Sequence, residues 1–369
     1  MRARRGRPRH RGLSVRVALS APGKLVLLGE YAVLHGAPAV VMAVDRRARV
    51  ELAPSGSELW SVTAPPLVTD TLRFALAADG SLRWLADPSG AARRLELVEH
   101  LLGAMAAAGL LDPTSLPPAA ATLDTRALFE DGVGGGTKLG LGSSAAVTVA
   151  LASALAQWGG RGELLADPLR WLGSLLALHR GLQGGRGSGV DLAASLLGGV
   201  VSYRLGTDGS VAAADPLPMP AGLQLVMVWT GRAADTGSML RRLDERLAGG
   251  DASVEAALDR LAELSVAGSE AFRLGRVAAV LATVDAYCDA MDALGRAVGL
   301  PIVSAEHDAL RRLARRHGAS YKPSGAGGGD LGLIVSPDPK AAAAAASAAT
   351  AAGFRVLSLG LDPNGLHPL

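Results

Sequence analysis

The sequence predicts an α+β protein. Patterns typical of strands and of helices are mixed along the 369 residues, without the strict alternation of a doubly wound sheet. The opening of the chain is rich in short strand patterns divided by turn residues, and long helical patterns follow further on. A chain of this length has room for one large or two medium domains with an ample core.

The N-terminal part is predicted to be a domain over residues 13–207, preceded by a disordered basic tail over residues 1–12. Alternating apolar and polar residues predict a first strand over 13–20. Residues 54–90 carry turn signals with short strands between them. The other predicted elements are strand-like runs over 24–30, 39–44 and 46–52, a helix over 93–108, a strand over 119–123, helices over 147–157 and 163–183, and a strand over 198–205.

The C-terminal part is predicted to be a second domain over residues 221–369. Residues 208–220 are rich in Gly, Ala and Pro, which predicts a linker between the two domains. The elements predicted beyond the linker are a strand over 223–229, helices over 236–247, 254–274, 277–298 and 304–317, a strand over 333–335, an alanine-rich helix over 341–352 and a last strand over 355–359.

Charge and composition argue against several classes of protein. Six arginines and no acidic residue lie in residues 1–12, and subtracting them from the net charge of +3 leaves −3 for the rest. The pI of 9.3 is therefore a property of the tail, and no nucleic-acid partner is expected. No uncharged apolar run reaches about 18 residues, so no membrane span is expected. Cys288 is the only cysteine, which fits a reducing cytoplasm, and the expected state is a monomer or homodimer.

A glycine-rich loop followed at once by a helical pattern is the most informative motif. Residues 138–146 read Lys-Leu-Gly-Leu-Gly-Ser-Ser-Ala-Ala. Glycines let the backbone approach a ligand closely, and the N–H groups of the first helical turn favour an anion. The motif is not a P-loop, because its lysine precedes the glycines, nor a dinucleotide fingerprint, because no apolar strand precedes it. Taken alone, it fits either a phosphate site or an ordinary helix start with serine at the cap.

Two other segments favour the phosphate interpretation. Residues 21–36 place Pro-Gly-Lys and Gly-Glu-Tyr in an apolar run, and residues 322–332 form a second glycine loop, Lys-Pro-Ser-Gly-Ala-Gly-Gly-Gly-Asp-Leu-Gly. Three of the four lysines of the chain, Lys24, Lys138 and Lys322, fall inside the three motifs. A compact ammonium on a flexible stem suits a phosphate, so this coincidence favours phosphate contacts.

In this order, the three motifs resemble those of the GHMP kinase superfamily, whose members are small-molecule kinases that bind ATP at a Gly-Leu-Gly-Ser-Ser-Ala-Ala loop. The resemblance spans roughly residues 18–335. It implies a GHMP kinase fold, with an N-terminal domain like the second domain of ribosomal protein S5 and a C-terminal ferredoxin-like domain. It also implies an active site in the cleft between the domains, with ATP and Mg²⁺ as cofactors.

Local details resemble the phosphomevalonate kinases of this superfamily more than its mevalonate kinases. Mevalonate kinases usually carry histidine where Tyr31 stands, and they carry a glutamate that helps to hold Mg²⁺ in the helix before the aspartate. The matching stretch here, residues 179–183, has no acid. The resemblance therefore implies phosphoryl transfer from ATP to a small-molecule substrate, 5-phosphomevalonate, in the mevalonate pathway of isoprenoid synthesis. Mevalonate kinase, or another GHMP small-molecule kinase, is the alternative.

The resemblance also implies roles for particular residues. Lys24 is expected to neutralise charge between the acceptor and the γ-phosphate, and Asp191 to orient the acceptor or pair with Lys24. Ser144 is expected to contact Mg²⁺. The expected cofactor-binding residues are Lys138, Gly140, Leu141, Gly142, Ser143, Ser144 and Ala145, and the expected substrate-binding residues are Glu30, Tyr31, Arg186, Ser188, Lys322, Ser324, Gly325, Gly327 and Gly328.

Other interpretations of these residues stay open at this point. Asp191 also fits a helix cap, Glu30 a partly buried structural residue, and Asp330 either a site residue or a turn at the start of a strand. A catalytically inactive protein of this fold would bind a metabolite or partner, and an RNA-binding protein would use the arginine tail. Retention of Lys24 and Ser144 together with Asp191 argues against the inactive protein.

Overall fold

Two large β-sheets, each packed against helices, form the framework that positions the candidate site. The computed structural model describes residues 16–85, 87, 90–130, 137–185 and 187–369. The basic tail predicted over residues 1–12 lies outside the described residues. Within the described residues, strands and helices are combined as the α+β prediction requires, and that prediction is confirmed.

The first sheet contains most of the strands of the N-terminal part. Its order is β10-β9-β2-β6-β3-β4-β5, with β1 paired to β2 and to a short strand from the C-terminal end, β15. The strands are β1 (Val17–Leu28), β2 (Ala39–Pro54), β3 (Trp60–Ala64), β4 (Val68–Leu76), β5 (Leu82–Trp84), β6 (Ala119–Asp124), β9 (Val200–Leu205), β10 (Val211–Leu217) and β15 (His367–Pro368), while β7 (Phe129–Glu130) and β8 (Thr137–Lys138) form a separate hairpin pair.

Helices of the N-terminal part cover the centre of this sheet. They are α1 (Glu96–Ala107), α2 (Ser143–Trp158), α3 (Pro168–Leu182) and α4 (Val190–Leu197). In α2, every residue from Ala145 to Ala156 is buried, and the helix packs against β1, β2 and α4. The many alanines let the helix axis approach the strands closely, because a small side chain adds little thickness to the interface. This packing fixes the start of α2 beside β1.

The second sheet belongs to the C-terminal part and is antiparallel throughout its described pairs. Its order is β12-β13-β11-β14. Its strands are β11 (Gln224–Trp229), β12 (Ser320–Ser324), β13 (Leu331–Ser336) and β14 (Arg355–Leu357), and its helices are α5 (Thr236–Ala248), α6 (Ala252–Arg273), α7 (Val277–Val298), α8 (Ala305–Arg316) and α9 (Pro339–Ala351). Helices α7 and α8 pack on β12, and α9 packs on β11.

In two places, residues belong to a different part of the structure from the one that the predicted domain boundaries assign to them. Within the predicted linker over 208–220, residues Val211–Leu217 form β10, which pairs with β9. The end of the chain, residues 359–369, returns to the first sheet, where Ser20 pairs with His367 and Val44 bridges to Leu361. The Gly- and Pro-rich composition of the linker concealed an edge strand, which tolerates proline. The division into two domains otherwise stays a prediction.

No helix within the described residues is long and apolar enough to cross a membrane.

Candidate active site

A cleft of about 470 Å³ lies where the helices of the first sheet meet the C-terminal part. One wall is formed by β1, the start of α4 and the end of α3, and the other by α5 and the glycine loop between β12 and β13. Lys24, Asp191, Gly140 and Ser324 all line it, so the three sequence motifs meet in one place. A concave site between two structural parts is a usual location for a small-molecule substrate.

The phosphate loop enters the cleft through two glycines in left-handed conformations. Gly140 has φ 75° and Gly142 has φ 74°. A Cβ atom on Gly142 would lie 3.0 Å from Cγ of Lys24 and 3.4 Å from Oδ2 of Asp191, so only glycine lets the loop pass this close to both side chains. Gly142 is also the N-cap of α2. The first N–H groups of α2 have no partner within the helix and carry its positive end.

The structure changes two details of the predicted loop. The helix begins at Ser143, earlier than the predicted start at Val147, and Gly142 rather than Ser143 is the cap. The capping expectation is therefore wrong for Ser143, because the tight backbone at Gly142 already closes the helix end. Leu141 and Ala145 are buried, and the Leu141 carbonyl accepts the backbone N–H of Lys24 at 2.9 Å. Leu141 and Ala145 therefore hold the loop in place through packing and backbone contact.

Lys24 and Asp191 form the charged centre of the cleft. Nζ of Lys24 lies 3.6 Å from Oδ1 of Asp191 and 3.4 Å from the Gly140 carbonyl oxygen. The side chain of Lys24 is 10% exposed and that of Asp191 34%. Asp191 lies in the first turn of α4, whose cap is Gly189 at φ 81°. The alternative of Asp191 as the helix cap is therefore wrong, and its carboxylate is available to the cleft.

Ser144 contacts a histidine at the position where the sequence lacks an acid. Its Oγ lies 2.7 Å from Nε2 of His179, near the end of α3. Burial lowers the pKa of His179, and attraction to Asp191 opposes this shift. The imidazole is therefore neutral at pH 7, and its Nε2 is able to accept a hydrogen bond from the Ser144 hydroxyl. This hydrogen bond leaves the Oγ lone pairs for another partner.

The donor set near Ser144 fits a magnesium ion that is carried mainly by phosphate groups. Among the described residues, no group of three or more His, Cys, Asp or Glu side chains is placed to hold a metal. Mg²⁺ usually takes one or two protein oxygens together with substrate phosphates and water. The hydroxyl of Ser144, one residue into α2, supplies one such oxygen. Residues here therefore fit Mg²⁺ as a companion of a nucleotide rather than as a permanently bound ion.

Glu30 and Lys322 form a fully buried ion pair instead of a pair of substrate contacts. Their side chains are 3% and 0% exposed, and Nζ of Lys322 bonds both Oε1 of Glu30 and the Pro323 carbonyl. The same Oε1 accepts the backbone N–H of Gly325 at 3.2 Å. The prediction that Lys322 binds substrate is wrong in this arrangement, because its ammonium is enclosed and already paired. For Glu30, the structural interpretation fits the contacts.

The third glycine loop is attached to β1 and to α5 by its other residues. Ser324 is buried, and its hydroxyl donates to the Val26 carbonyl at 2.9 Å and accepts the Val26 N–H at 3.1 Å. The hydroxyl of Tyr31 donates to the Ala326 carbonyl at 2.5 Å and lies 3.7 Å from the sulfur of Met239. Burial, together with the nearby Glu30, raises the pKa of Tyr31 well above its usual value. Ser324 and Tyr31 line the cleft, but their hydroxyls form hydrogen bonds with the protein itself.

Gly327 and Gly328 face protein instead of the cleft. A Cβ on Gly327 would lie 2.3 Å from the Ile302 carbonyl oxygen, and one on Gly328 would lie 2.1 Å from Cε of Met239. The N–H of Gly328 donates to the Ile302 carbonyl at 2.8 Å. Close packing against neighbouring segments accounts for both glycines, which lie outside the described lining of the cleft, and their role as substrate contacts stays a prediction. Gly325 alone of these three glycines lines the cleft.

The remaining predicted residues divide into those at the cleft and those away from it. Ser188 lines the cleft, and its carbonyl accepts the Tyr203 hydroxyl at 2.6 Å. Lys138 is exposed on β8, outside the described lining of the cleft. Arg186 lies outside the described residues. The roles predicted for Lys138 and Arg186 stay predictions.

Two further charged residues line the cleft: Asp330, which the sequence left open between a site residue and a turn, and Arg241, which the sequence did not indicate. Asp330, at φ 53°, lines the cleft, and burial raises its pKa while the Ala234 N–H, at 3.1 Å from Oδ1, and the charge of Lys24 oppose the shift. Its place directly after a glycine run was the available signal. Arg241 lines the cleft from α5. No sequence signal marks it, because it is one of several arginines in an amphipathic helix.

Comparisons with known proteins agree with this geometry. Residues 133–199 match the family described as the GHMP kinases N terminal domain. The chain is 33% identical over 341 residues to phosphomevalonate kinase from Streptomyces sp. (strain CL190), covering 85% of this chain and 88% of that protein. It is 28% identical over 369 residues to mevalonate kinase from Bos taurus, covering 90% of this chain and 89% of that protein.

A solved structure shares the fold. It is Streptococcus pneumoniae phosphomevalonate kinase in complex with phosphomevalonate and AMPPNP, which matches with a TM-score of 0.70 and 21% identity, over 94% of this chain and 99% of that chain. The fold implied by the three motifs is thereby confirmed, and the match in sequence to the Streptomyces enzyme extends over both sheets. The chain belongs to the GHMP kinase family and is a kinase.

Proposed function

We propose that this protein transfers the γ-phosphoryl group of Mg·ATP to 5-phosphomevalonate, giving 5-diphosphomevalonate. The observation that carries the proposal is the position of Lys24, whose ammonium lies between the Gly140 carbonyl of the phosphate loop and the carboxylate of Asp191. A cation there is adjacent both to a phosphate at the start of α2 and to an acceptor beside α4. The similarity to the Streptomyces phosphomevalonate kinase supports this acceptor.

Lys24 acts mainly through charge. Phosphoryl transfer spreads negative charge over the transferred group, so catalysis depends on positioning and electrostatic stabilisation. Two polyanions at roughly 4 Å repel by several kcal/mol in a partly dry cleft. The ammonium of Lys24, held by contacts with the Gly140 carbonyl and with Asp191, offsets this repulsion without having to reorganise.

Asp191 orients Lys24 and the acceptor rather than serving as an obligatory base. The second pKa of a phosphate monoester is near 6, so the attacking oxygen is already largely ionised at neutral pH. An alcohol acceptor would instead need its proton removed. The proposed acceptor therefore does not need Asp191 as a base. The Asp191 carboxylate stays paired with Lys24 in the described geometry.

Ser144 is the residue that would hold Mg²⁺ together with the nucleotide phosphates. Mg²⁺ bound there would neutralise negative charge on the phosphates. The role of this chain is to present the Ser144 hydroxyl at the start of α2 and to fix its direction through His179.

Mevalonate kinase is the second candidate. The observation that favours it is the 34% exposure of the Asp191 side chain, which leaves its carboxylate, although paired with Lys24, accessible to an acceptor hydroxyl. The similarity to mevalonate kinase from Bos taurus over most of both chains points the same way.

The proposed location is the cytoplasm, supported by the single cysteine, Cys288, which is buried and free.

The test is release of ADP by the purified protein with Mg·ATP, offered 5-phosphomevalonate and mevalonate in parallel. Turnover with the phosphorylated acceptor alone supports the proposal. Turnover with mevalonate alone replaces the acceptor and makes Asp191 a base. No turnover with either acceptor would contradict both candidates.

A further inference from the structure

The charged side chains that line the cleft are already paired, with one exception. Lys24 pairs with Asp191 at 3.6 Å. Glu30 is held by Lys322, and Asp330 accepts the Ala234 N–H. These contacts account for the acidic residues of the described lining and for its lysine.

Arg241 is the exception. It lines the cleft from the second turn of α5, is exposed, and forms no ion pair with any residue that the structure describes. Its neighbours on the same helix behave differently, since Arg242 pairs with Glu245 at 3.3 Å and Arg246 with Asp251 at 2.6 Å. An arginine without a carboxylate partner beside a cleft is available to an external anion.

The local backbone leaves room for the guanidinium of Arg241. Its Nη1 atom lies 3.4 Å from the point where a Cβ on Gly237 would stand, so the side chain folds back over the first turn of α5. Gly237 and Thr236 line the cleft as well. The planar fork of a guanidinium binds a carboxylate or phosphate through two parallel hydrogen bonds.

Apolar side chains near Arg241 suit a short carbon skeleton. Val26, Val33, Leu34 and Leu240 line the same cleft. Tyr31, which is joined to the helix of Arg241 through Met239, lies between these residues and the third loop. An acceptor with a small branched carbon chain and an anionic end would match both kinds of surface.

We propose that Arg241 binds an oxyanion of the acceptor, its carboxylate or its phosphate, and so determines specificity for an anionic substrate. This inference rests on the proposed function, because 5-phosphomevalonate carries both groups and mevalonate carries the carboxylate. Arg241 is a binding residue in this proposal, while Lys24 stabilises the negative charge that develops during phosphoryl transfer.

The experiment compares the steady-state kinetics of Arg241→Ala and Arg241→Lys with those of the full-length wild type. Arg241→Ala is expected to raise KM for the acceptor about tenfold or more, as loss of a charge-assisted pair would, and to change kcat and KM for ATP far less. Arg241→Lys keeps the positive charge but loses the two parallel hydrogen bonds of the guanidinium, so its KM is expected to lie between those of the wild type and Arg241→Ala. Arg242→Ala is the matched control on the same helix and keeps the wild-type KM.

A second acceptor identifies the bound group. In the analogue of 5-phosphomevalonate whose carboxylate is reduced to an alcohol, Arg241→Ala raises KM only if Arg241 binds the phosphate. If it binds the carboxylate, the wild type and the variant have equal KM for the analogue. Either result supports the proposal and names the group.

The proposal and the function it rests on fail in different ways. If the wild type uses mevalonate instead of 5-phosphomevalonate, the proposed function is wrong, and the Arg241 variants are then measured with mevalonate, whose carboxylate is retained. An Arg241→Ala variant with a KM within twofold of the wild type, for whichever acceptor the enzyme uses, would overturn the inference. Calorimetric binding of that acceptor gives the same comparison without turnover.

Discussion

Lys24 connects three distant parts of the sequence through one side chain and one backbone group. Its N–H is bonded to Leu141, and its ammonium lies beside Gly140 and Asp191. Because Leu141 and Gly140 belong to the phosphate loop and Asp191 to the start of α4, the position of this ammonium depends on three separate segments of the N-terminal part being folded together. Replacement of the side chain removes charge without disturbing the apolar core.

Lys24→Ala is expected to lower kcat by about a hundredfold or more, as loss of one electrostatic contact to a developing charge does. Asp191→Asn is expected to cost less, since the acceptor phosphate is ionised without a base. The measurement is ADP release at saturating substrates, with unfolding curves to show that both variants fold. Lys340→Ala, the lysine outside the three motifs, is the control.

An equal loss of kcat in Lys24→Ala and Asp191→Asn would contradict the argument about the acceptor proton. An unchanged kcat in Lys24→Ala would contradict the assigned role of the lysine itself.

His179→Leu is expected to weaken binding of Mg·ATP about tenfold, because the Ser144 hydroxyl loses the partner that orients it. His179→Gln is expected to retain most of the affinity, since its amide replaces Nε2. Calorimetric titration of both variants with ATP, with and without Mg²⁺, provides the measurement. A loss that is equal with and without Mg²⁺ would indicate a general packing defect instead.

At the scale of elements, β12 and the third glycine loop depend on a buried histidine of α8. Nδ1 of His307 lies 2.6 Å from the Tyr321 hydroxyl, and its Nε2 lies 3.0 Å from the Gly329 carbonyl. Burial lowers the pKa of His307 from 6.5 to about 4, with the Gly329 carbonyl and Glu306 opposing the shift. The folded protein therefore keeps this ring neutral well below pH 6.5.

This shift predicts loss of stability in acid. Above pH 6.5 the ring is neutral in both the folded and the unfolded chain, and its contribution is complete. As pH falls from 6.5 towards 4, the unfolded chain binds a proton that the folded chain excludes, so the free energy of unfolding decreases by up to about 3 kcal/mol. Urea unfolding at several pH values measures the slope.

His307→Gln cannot titrate, so its stability is expected to fall less than that of the wild type over the same pH range. Parallel slopes in the two proteins would assign the acid sensitivity to other groups.

The sequence was sufficient where function depends on local backbone. Gly140 and Gly142 of the phosphate loop, and Gly325 of the third loop, have left-handed φ values that a side chain opposes. Glycines in such positions are visible in the sequence itself. The partners of Lys322 and Ser144 depend on which distant segments pack together, and nothing near either residue signals its contact. Arg241 was missed for the same reason.

At the scale of the whole molecule, buried polar contacts join the two parts across the cleft. Glu30 bonds Lys322 and Gly325, and Ser324 makes two hydrogen bonds to Val26. Tyr287 donates to the Glu30 carbonyl at 2.7 Å. These contacts join β1 and the segment after it to the third loop, so they set the spacing between the walls of the cleft.

Lys322→Met is expected to destabilise the protein by about 3–5 kcal/mol, because it leaves the Glu30 carboxylate buried without a cation. The double variant Glu30→Gln with Lys322→Met removes both charges and keeps an acceptor for the Gly325 N–H. It should therefore recover much of the loss. Denaturant unfolding of the wild type, the single variant and the double variant tests this, and equal losses in the two variants would contradict the charge argument.

The return of residues 359–369 to the first sheet was also beyond local sequence patterns. The guanidinium of Arg47 pairs with Asp362 and bonds the Gly365 carbonyl at 2.6 Å and the Asn364 carbonyl at 3.0 Å. These contacts join the second strand of the chain to its last residues. A single strand-length segment carries too little periodicity to indicate which of two sheets it will join.

Because β15 completes the sheet that β1 begins, the C-terminal part is inserted within the N-terminal part and connects to it at both of its ends. During synthesis, the sheet that carries Lys24 cannot reach its final form until residues 361–368 have left the ribosome, and Arg47 lacks its carboxylate partner until then. Loss of residues 361–368 would thus damage a sheet whose first strand was synthesised more than 300 residues earlier.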